Sequence, residues 1–405
     1  MELSQCKERL DAWFSEKKPE MLSMLERIVN MDSFTTDAQD VDQLGTVLTD
    51  WLREADFQTF MMPKTEAPAD EPWQADLGHV FMAKTHGREA EPGIVFLGHM
   101  DTVFPKGTAQ ARPFKIEGDR ATGPGVADMK AGVVANMFAA RALKELGLID
   151  VPMTLMFSPD EELGAPTATR IYRERIGGAR AVICAEPGFP DGGVTTERRG
   201  SGHFHMRISG ISAHAGRCYE DGASAILELA HKIVALDAFV DAQAQTIVNT
   251  GLISGGNSAN AVAPWADARI HITFNTVDAA ERLVENVRAV AARTFVPRTT
   301  TRISGGIRLH PLEYTADVET LFGMAERACA AMGGYTIRRN RALGASEAGF
   351  TASVMGIPSI CSMGPEGAEL HSPREYLSVD TVLPRCKMIA LTAIQAARAF
   401  PAPCV

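Results

Sequence analysis

Four short apolar runs in this chain each lead into a polar cluster. Ile94-Val95-Phe96-Leu97 runs into Gly98-His99-Met100-Asp101, and Met153-Thr154-Leu155-Met156-Phe157 into Ser158-Pro159-Asp160-Glu161-Glu162. Ala181-Val182-Ile183-Cys184 runs into Ala185-Glu186-Pro187-Gly188, and Ile357-Pro358-Ser359-Ile360-Cys361 leads through a Gly/Pro loop to His371. Unbroken apolar runs of this length predict strands buried on both faces, as in a parallel sheet. In open α/β sheets, ligands gather beyond the carboxyl ends of the strands. The pattern therefore aims His, Asp and Glu side chains at one crevice, where carboxylates do not collect without compensating cations.

The remaining periodicity predicts amphipathic helices over 5–30 and 40–55, strands near 78–84 and 93–98, and an Ala-rich helix from Met129 to Leu146 ended by Gly147. The strand at 153–157, a helix at 166–176 and the strand at 181–185 continue a βαβ order. Near residue 197 the texture changes. From Gly202 to Gly210, His203, His205 and Arg207 alternate with Phe204, Met206 and Ile208. This is the pattern of a half-solvated antiparallel strand, and it is expected to leave an edge that must be paired or covered. A helix at 223–239, strands near 245–253 and 266–275 and a helix at 278–294 complete the order of a small α+β sandwich. After Gly305-Gly306, long helices at 315–332 and 380–399 surround the strand at 357–362. The expected fold is α/β, with a mostly parallel central sheet flanked by helices and interrupted by an inserted α+β domain. The expected boundaries are 1–198 and 308–405 for the large domain and 199–307 for the insert.

Bulk properties narrow the function. A chain of 405 residues exceeds the usual size of one core, in keeping with two domains. The formal charge of −10 argues against nucleic acid or anionic membrane as partner and leaves a small-molecule substrate as the expectation. The N-terminal segment has no long apolar region of a signal peptide, and no stretch is long enough to span a bilayer. The cysteines (6, 184, 218, 329, 361, 386, 404) are scattered without a C-x-x-C pair. An odd, dispersed set suits reduced thiols and a cytoplasmic location.

The strand ends carry the candidate chemistry. His99 and Asp101, two apart at a strand end, can face the same side. His99 can bind a metal through one ring nitrogen while Asp101 holds the other; a capping Asp beside a structural His is the alternative. Gly123-Pro124-Gly125-Val126-Ala127-Asp128 is a glycine-rich turn without the phosphate-loop pattern, and its Asp128 would repel phosphate. Asp128 can cap the following helix or bridge two ions. Asp160-Glu161-Glu162 places three acids together, so that one Glu can bind metal while a neighbour serves as general base. Glu186 and His371 complete an inventory of two His, one shared Asp and two Glu. It suits a pair of borderline divalent ions, zinc foremost, with manganese or cobalt also compatible.

These motifs, in this order, resemble those of the M20 family of co-catalytic metallopeptidases, nearest to its glutamate carboxypeptidase (carboxypeptidase G2-like) subgroup. The resemblance spans nearly the whole chain. It implies a catalytic domain holding a dimerisation (lid) domain. It also implies His99 and His371 as terminal ligands of two metals, Asp128 as the bridge and Glu162 and Glu186 as carboxylate ligands. Glu161 would be the general base and Asp101 the residue that orients His99. Gly210-Ile211-Ser212-Ala213-His214-Ala215-Gly216 resembles the lid motif whose histidine reaches the substrate carbonyl, often in the partner subunit's site. Asn260 resembles the family's substrate-contacting Asn before a proline.

Two departures stand out. Relatives often end the strand after that proline in Asp-x-Arg, which helps recognise a substrate carboxylate; here the segment reads Ile270-His271-Ile272-Thr273-Phe274-Asn275. Relatives also carry Ser-Asp-Ala or Thr-Asp-Ala where this chain has Ser346-Glu347-Ala348. Arg308 and Arg217 are the candidate replacement guanidinia. The expected function is two-metal hydrolysis of a C–N amide bond in a small carboxylate-bearing substrate, such as that of a glutamate-type carboxypeptidase or an N-acyl-amino-acid deacylase. Water activated at the metals would attack with Glu161 as base, in a homodimer or higher homo-oligomer. The alternative is a non-peptide C–N hydrolase resembling 5-nitroanthranilate aminohydrolase, acting on an aromatic amine.

Overall fold

The computed structural model describes residues 2–64, 66–86, 93–243 and 245–401; Cys404 lies outside them. In chain order, the strands that organise the fold are β1 (Phe57–Met61), β2 (Phe81–Thr85), β3 (Ile94–His99), β4 (Met153–Ser158), β5 (Ala181–Cys184), β6 (Gly200–Ser209), β7 (Ile247–Gly255), β8 (Trp265–Phe274), β9 (Thr300–Leu309) and β10 (Ser359–Ile360). The central sheet has the order β1-β2-β4-β3-β5-β10. β4, β3, β5 and β10 run parallel, and β2 and β1 extend one side antiparallel.

The unbroken apolar runs are explained by helices on both faces of this sheet. Phe96, Leu155 and Ile183 point into a core shared with the helices Leu3–Val29, Ala131–Glu145, Ala316–Met332 and Val382–Ala399. Their neighbours Val95, Leu97, Met156 and Val182 point the other way, onto Ile171, Tyr172 and Phe350. Successive side chains of a strand face opposite sides, so both sets must be apolar.

The inserted domain has its own core. Its sheet order is β7-β8-β6-β9, antiparallel throughout. Phe204, Met206, Ile208, Ile270 and Ile272 pack against helices Ala225–Asp237 and Val277–Ala292. Ser224 and Thr276 cap these helices by accepting from Leu227 N and Ala279 N. The half-polar strand 202–210 does not form an edge. It is β6, paired with β8 on one side and β9 on the other. The alternation reported only that one face is uncovered, which is true of an interior strand as much as of an edge. The sheet's edges are β7 and β9, of which β7 is the more exposed. β9 runs straight through Gly305-Gly306 to Leu309, with a register shift between Ile307 and Leu309. Gly305 has φ +98°, and a Cβ there would meet the His203 carbonyl oxygen at 2.1 Å. The glycine pair that reads as a break is thus a kinked strand.

Candidate metal centre

β3, β4 and β5 deliver His99, the Asp160-Glu161-Glu162 cluster and Glu186 to their common carboxyl end. Asp128 comes from the turn entering the helix Ala131–Glu145, and the Asp128–Met129 peptide bond is cis. The start of that helix lies hard against the end of β5, since a Cβ on Gly132 would meet the Ala185 carbonyl oxygen at 1.8 Å. His371 comes from the loop between the short strands Gly367–Ala368 and Tyr376–Ser378.

Two clusters result, and Asp128 belongs to both. His99, Asp128 and Glu186 form one; Asp128, Glu162 and His371 form the other, with the potential ligand atoms of each within 4.8 Å of one another. Asp128 Oδ1 lies 3.2 Å from His99 Nε2, and Asp128 Oδ2 lies 3.2 Å from His371 Nε2. Glu186 Oε1 is 3.8 Å from His99 Nε2 and Glu162 Oε2 is 3.2 Å from His371 Nε2. A carboxylate that divides its two oxygens between two imidazoles has the geometry of a bridge.

The electrostatics fit cation binding. Burial works to raise the Asp128 carboxyl, but hydrogen bonds from His371 and His99 hold it well below the usual range. His371 is pushed up to about 10 by Asp128 and Glu162. Burial lifts Glu186 to about 8, with the Asp128 charge adding to the effect. It also raises Glu162 and Glu161, and in Glu161 the charges of Glu186 and Glu162 act in the same direction. Burial first, and the neighbouring carboxylates second, disfavour ionisation of these groups, and a cation would favour it. The donor set of two imidazoles and three carboxylates suits borderline divalent ions.

Around the clusters, Asp101 is fully buried; its backbone carbonyl lies 3.0 Å from His99 Nδ1 and its carboxylate Oδ1 3.4 Å. Asp160 stands apart from its acidic neighbours: its Oδ2 accepts from the backbone N and hydroxyl of Thr167, at 2.7 and 2.5 Å. It fixes the turn after β4. Glu347, at the Ser346-Glu347-Ala348 departure, is buried and accepts from the Tyr172 hydroxyl at 2.6 Å. Burial pushes Glu347 up to about 7.

The inserted-domain residues form a separate group. His214 pairs with Ala261 as an isolated bridge, and Ala215 N donates to the Asn260 carbonyl at 3.0 Å, so His214 and Asn260 are neighbours. Both are exposed, as is Arg217. Among the described residues, no hydrogen bond or ion pair joins them to the two clusters. Arg308 is already engaged: its guanidinium grips the Glu71 carboxylate through both terminal nitrogens and lies over the Trp73 ring. It ties β9 to the segment before β2.

Glu375 escaped the sequence reading. It is fully buried beneath Asp128, where its carboxylate accepts from Gly125 N, Ala127 N and Asp128 N at 3.0, 2.8 and 3.0 Å. The available signal was indirect. A glycine-rich turn without a phosphate presents backbone N–H groups that some other anion must satisfy.

A parallel sheet with histidines and carboxylates clustered at its carboxyl edge defines a metal-dependent hydrolase. This chain belongs to peptidase family M20/M25/M40, whose model matches residues 95–395. It is 26% identical to carboxypeptidase G2 of Pseudomonas sp. (strain RS-16) over 93% of this chain and 89% of that protein. Its fold is shared by aminopeptidase PepT of Bacillus cereus ATCC 10987, with a TM-score of 0.72, 21% identity and coverage of 93% and 98% of the two chains. It is also shared by the YXEP protein of Bacillus subtilis, described as a dinuclear metal-binding peptidase of the M20 family. There the TM-score is 0.66 at 16% identity, with 96% and 99% of the chains covered. Among the described residues, no helix is long and apolar enough to cross a membrane.

Proposed function

We propose that this protein hydrolyses the amide bond of a small carboxylate-bearing substrate, as a glutamate-type carboxypeptidase or an N-acyl-amino-acid deacylase does. The observation that carries this reading is the division of the Asp128 carboxylate between His99 and His371. His99, Asp128 and Glu186 would hold one divalent ion, and Asp128, Glu162 and His371 a second. Zinc is the first choice, with manganese or cobalt as alternatives. When bound, such ions polarise the scissile carbonyl and lower the pKa of the attacking water.

The chain's own groups do the rest. Glu161, buried beside the clusters but outside both, takes the proton of the attacking water and returns it to the departing nitrogen. Asp101 holds the His99 ring from behind. The inserted domain, residues 199–307, brings His214 to the substrate carbonyl oxygen, with Asn260 and Arg217 contacting the rest of the substrate. The protein works as a homodimer through the exposed side of this domain. Val234, Leu252 and Ile253 are 74%, 69% and 65% exposed there, beside the unpaired edge of β7.

A second reading, hydrolysis of a non-peptide C–N bond such as that of an aromatic amine, draws on the pairing of Arg308 with Glu71. That pairing removes one of the two candidate carboxylate-binding guanidinia. The test is the full chain, stripped with chelator, reloaded with Zn²⁺, Mn²⁺ or Co²⁺ and offered N-acyl amino acids, dipeptides, folate-type conjugates and aminobenzoates. Turnover of the amides is expected. Turnover of aminobenzoates alone would favour the second reading, and no metal-dependent turnover of any of them would overturn both.

A further inference from the structure

We propose that Glu375 is a positioning residue that sets the distance between the shared Asp128 and His371, and so fixes the affinity of the second cluster. This rests on the two-metal reading above. The turn Gly123–Asp128 points three backbone N–H groups, those of Gly125, Ala127 and Asp128, into the protein interior. In a phosphate loop such a concavity would hold an external anion. Here the Glu375 carboxylate fills it: Oε2 takes Gly125 N, and Oε1 takes both Ala127 N and Asp128 N.

The sequence position of Glu375 makes this more than a local cap. It lies four residues after His371, at the other end of the same loop, and Glu375 N donates to the Ser372 carbonyl at 3.1 Å. The loop is pressed onto the turn just before it as well. A Cβ on Gly367 would fall 2.4 Å from the Ala127 Cβ. Glu375 therefore joins the backbone that carries one donor, Asp128, to the loop that carries another, His371. Their facing atoms, Oδ2 and Nε2, sit 3.2 Å apart. His371 itself is half exposed, with φ +59°, and has little packing of its own to hold it. Glu375 touches no reacting atom, so its effect must pass through the placement of these two side chains. Partners that orient metal ligands typically change affinity by about 10–100-fold when removed.

The variants Glu375→Gln and Glu375→Ala address this. Gln keeps the volume but has one acceptor oxygen, so it can serve Ala127 and Asp128 while facing Gly125 N with a donor. Ala removes all three acceptor contacts. Each full-length protein, stripped of metal, is titrated with Co²⁺ by calorimetry and visible absorption, with His371→Ala as the marker for loss of the second cluster. Wild type is expected to bind in two steps. The step absent in His371→Ala should weaken about 10–100-fold in Glu375→Ala and by less in Glu375→Gln, with the other step changed less. A merely structural role would lower the metal-free melting temperature and leave both steps as in wild type, and that result overturns the inference. If Glu375→Ala does not fold, Glu375→Gln decides, and an isotherm matching wild type again overturns it. Wild type binding no Co²⁺ would instead overturn the two-metal reading, and this inference with it.

Discussion

The carboxylate of Asp101 accepts a hydrogen bond from the backbone N of Glu161, with Oδ1 at 3.2 Å. The same oxygen is 3.4 Å from His99 Nδ1, while Oδ2 accepts from Glu162 N at 3.2 Å and from the Thr35 hydroxyl at 2.8 Å. The Asp101 backbone carbonyl, 3.0 Å from His99 Nδ1, helps hold the ring of a candidate ligand, while the fully buried side chain lies against that ring and sets the backbone of the candidate base. Asp101→Asn, which replaces an acceptor oxygen with a donor among these N–H groups, should lower turnover about 10–100-fold. Steady-state kinetics with matched metal analysis would show it; unchanged kcat would mean that His99 and Glu161 keep their places without the second carboxylate oxygen of Asp101.

Glu161 and Glu162 are adjacent, but only Glu162 shares a cluster with His371. Glu161→Gln is therefore expected to keep its metal and lose turnover by roughly 10²–10⁴-fold, the usual cost of removing a general base. Glu162→Gln should lose metal. Elemental analysis of the two variants decides between these roles, and metal loss in Glu161→Gln would exchange them.

Metal should stabilise the fold, because ligands that repel one another when empty gain from a shared cation. With free metal at 100 times its dissociation constant, each site contributes about 2.7 kcal/mol. Chelation should lower the melting temperature and Zn²⁺ should restore it. A melting temperature indifferent to both would argue that the clusters hold no ion.

His310 offers a pH test away from the clusters. Burial, aided by the Arg173 charge, pushes its imidazole down to about 4, so it stays neutral in the folded protein while the unfolded chain protonates near 6.5. Its contribution is unchanged above the unfolded value and turns unfavourable as pH falls below it, levelling off below about 4. By pH 5 the loss is about 2 kcal/mol. Urea unfolding at pH 5, 6 and 7.5 should show a shallower pH dependence for His310→Gln than for wild type; equal slopes would count against the buried neutral histidine.

The exposed apolar side of the inserted domain predicts the assembly. Leu252→Asp with Val234→Asp should give a monomer by sedimentation at micromolar concentration, against a wild-type dimer. If His214 serves the partner's site, inactive His214→Ala and Glu161→Gln proteins should regain activity when mixed, since each heterodimer would have one site with both residues intact. No recovery despite demonstrated subunit exchange would confine His214 to its own subunit.

The central parallel strands were legible in the chain because burial on both faces is written locally, as unbroken apolar runs such as Ile94–Leu97 and Ala181–Cys184. Most residues brought to the two clusters were legible for the same reason: His99, Glu162 and Glu186 follow a strand and Asp128 precedes a helix, signals that span only a few residues, whereas His371 lies in a loop and was singled out by its motif. What the tertiary structure alone decided lies between segments far apart in sequence. Glu375 meets Asp128 across 247 residues, and Arg308 meets Glu71 across 237. Nothing in Pro373-Arg374-Glu375 distinguishes a surface acid from one buried under a turn, and nothing near Arg308 shows that its charge is spoken for. The position of β6 within its sheet was hidden likewise. Alternation records which face of a strand is buried, whereas its neighbours on either side are chosen by backbone hydrogen bonds that every residue type can make.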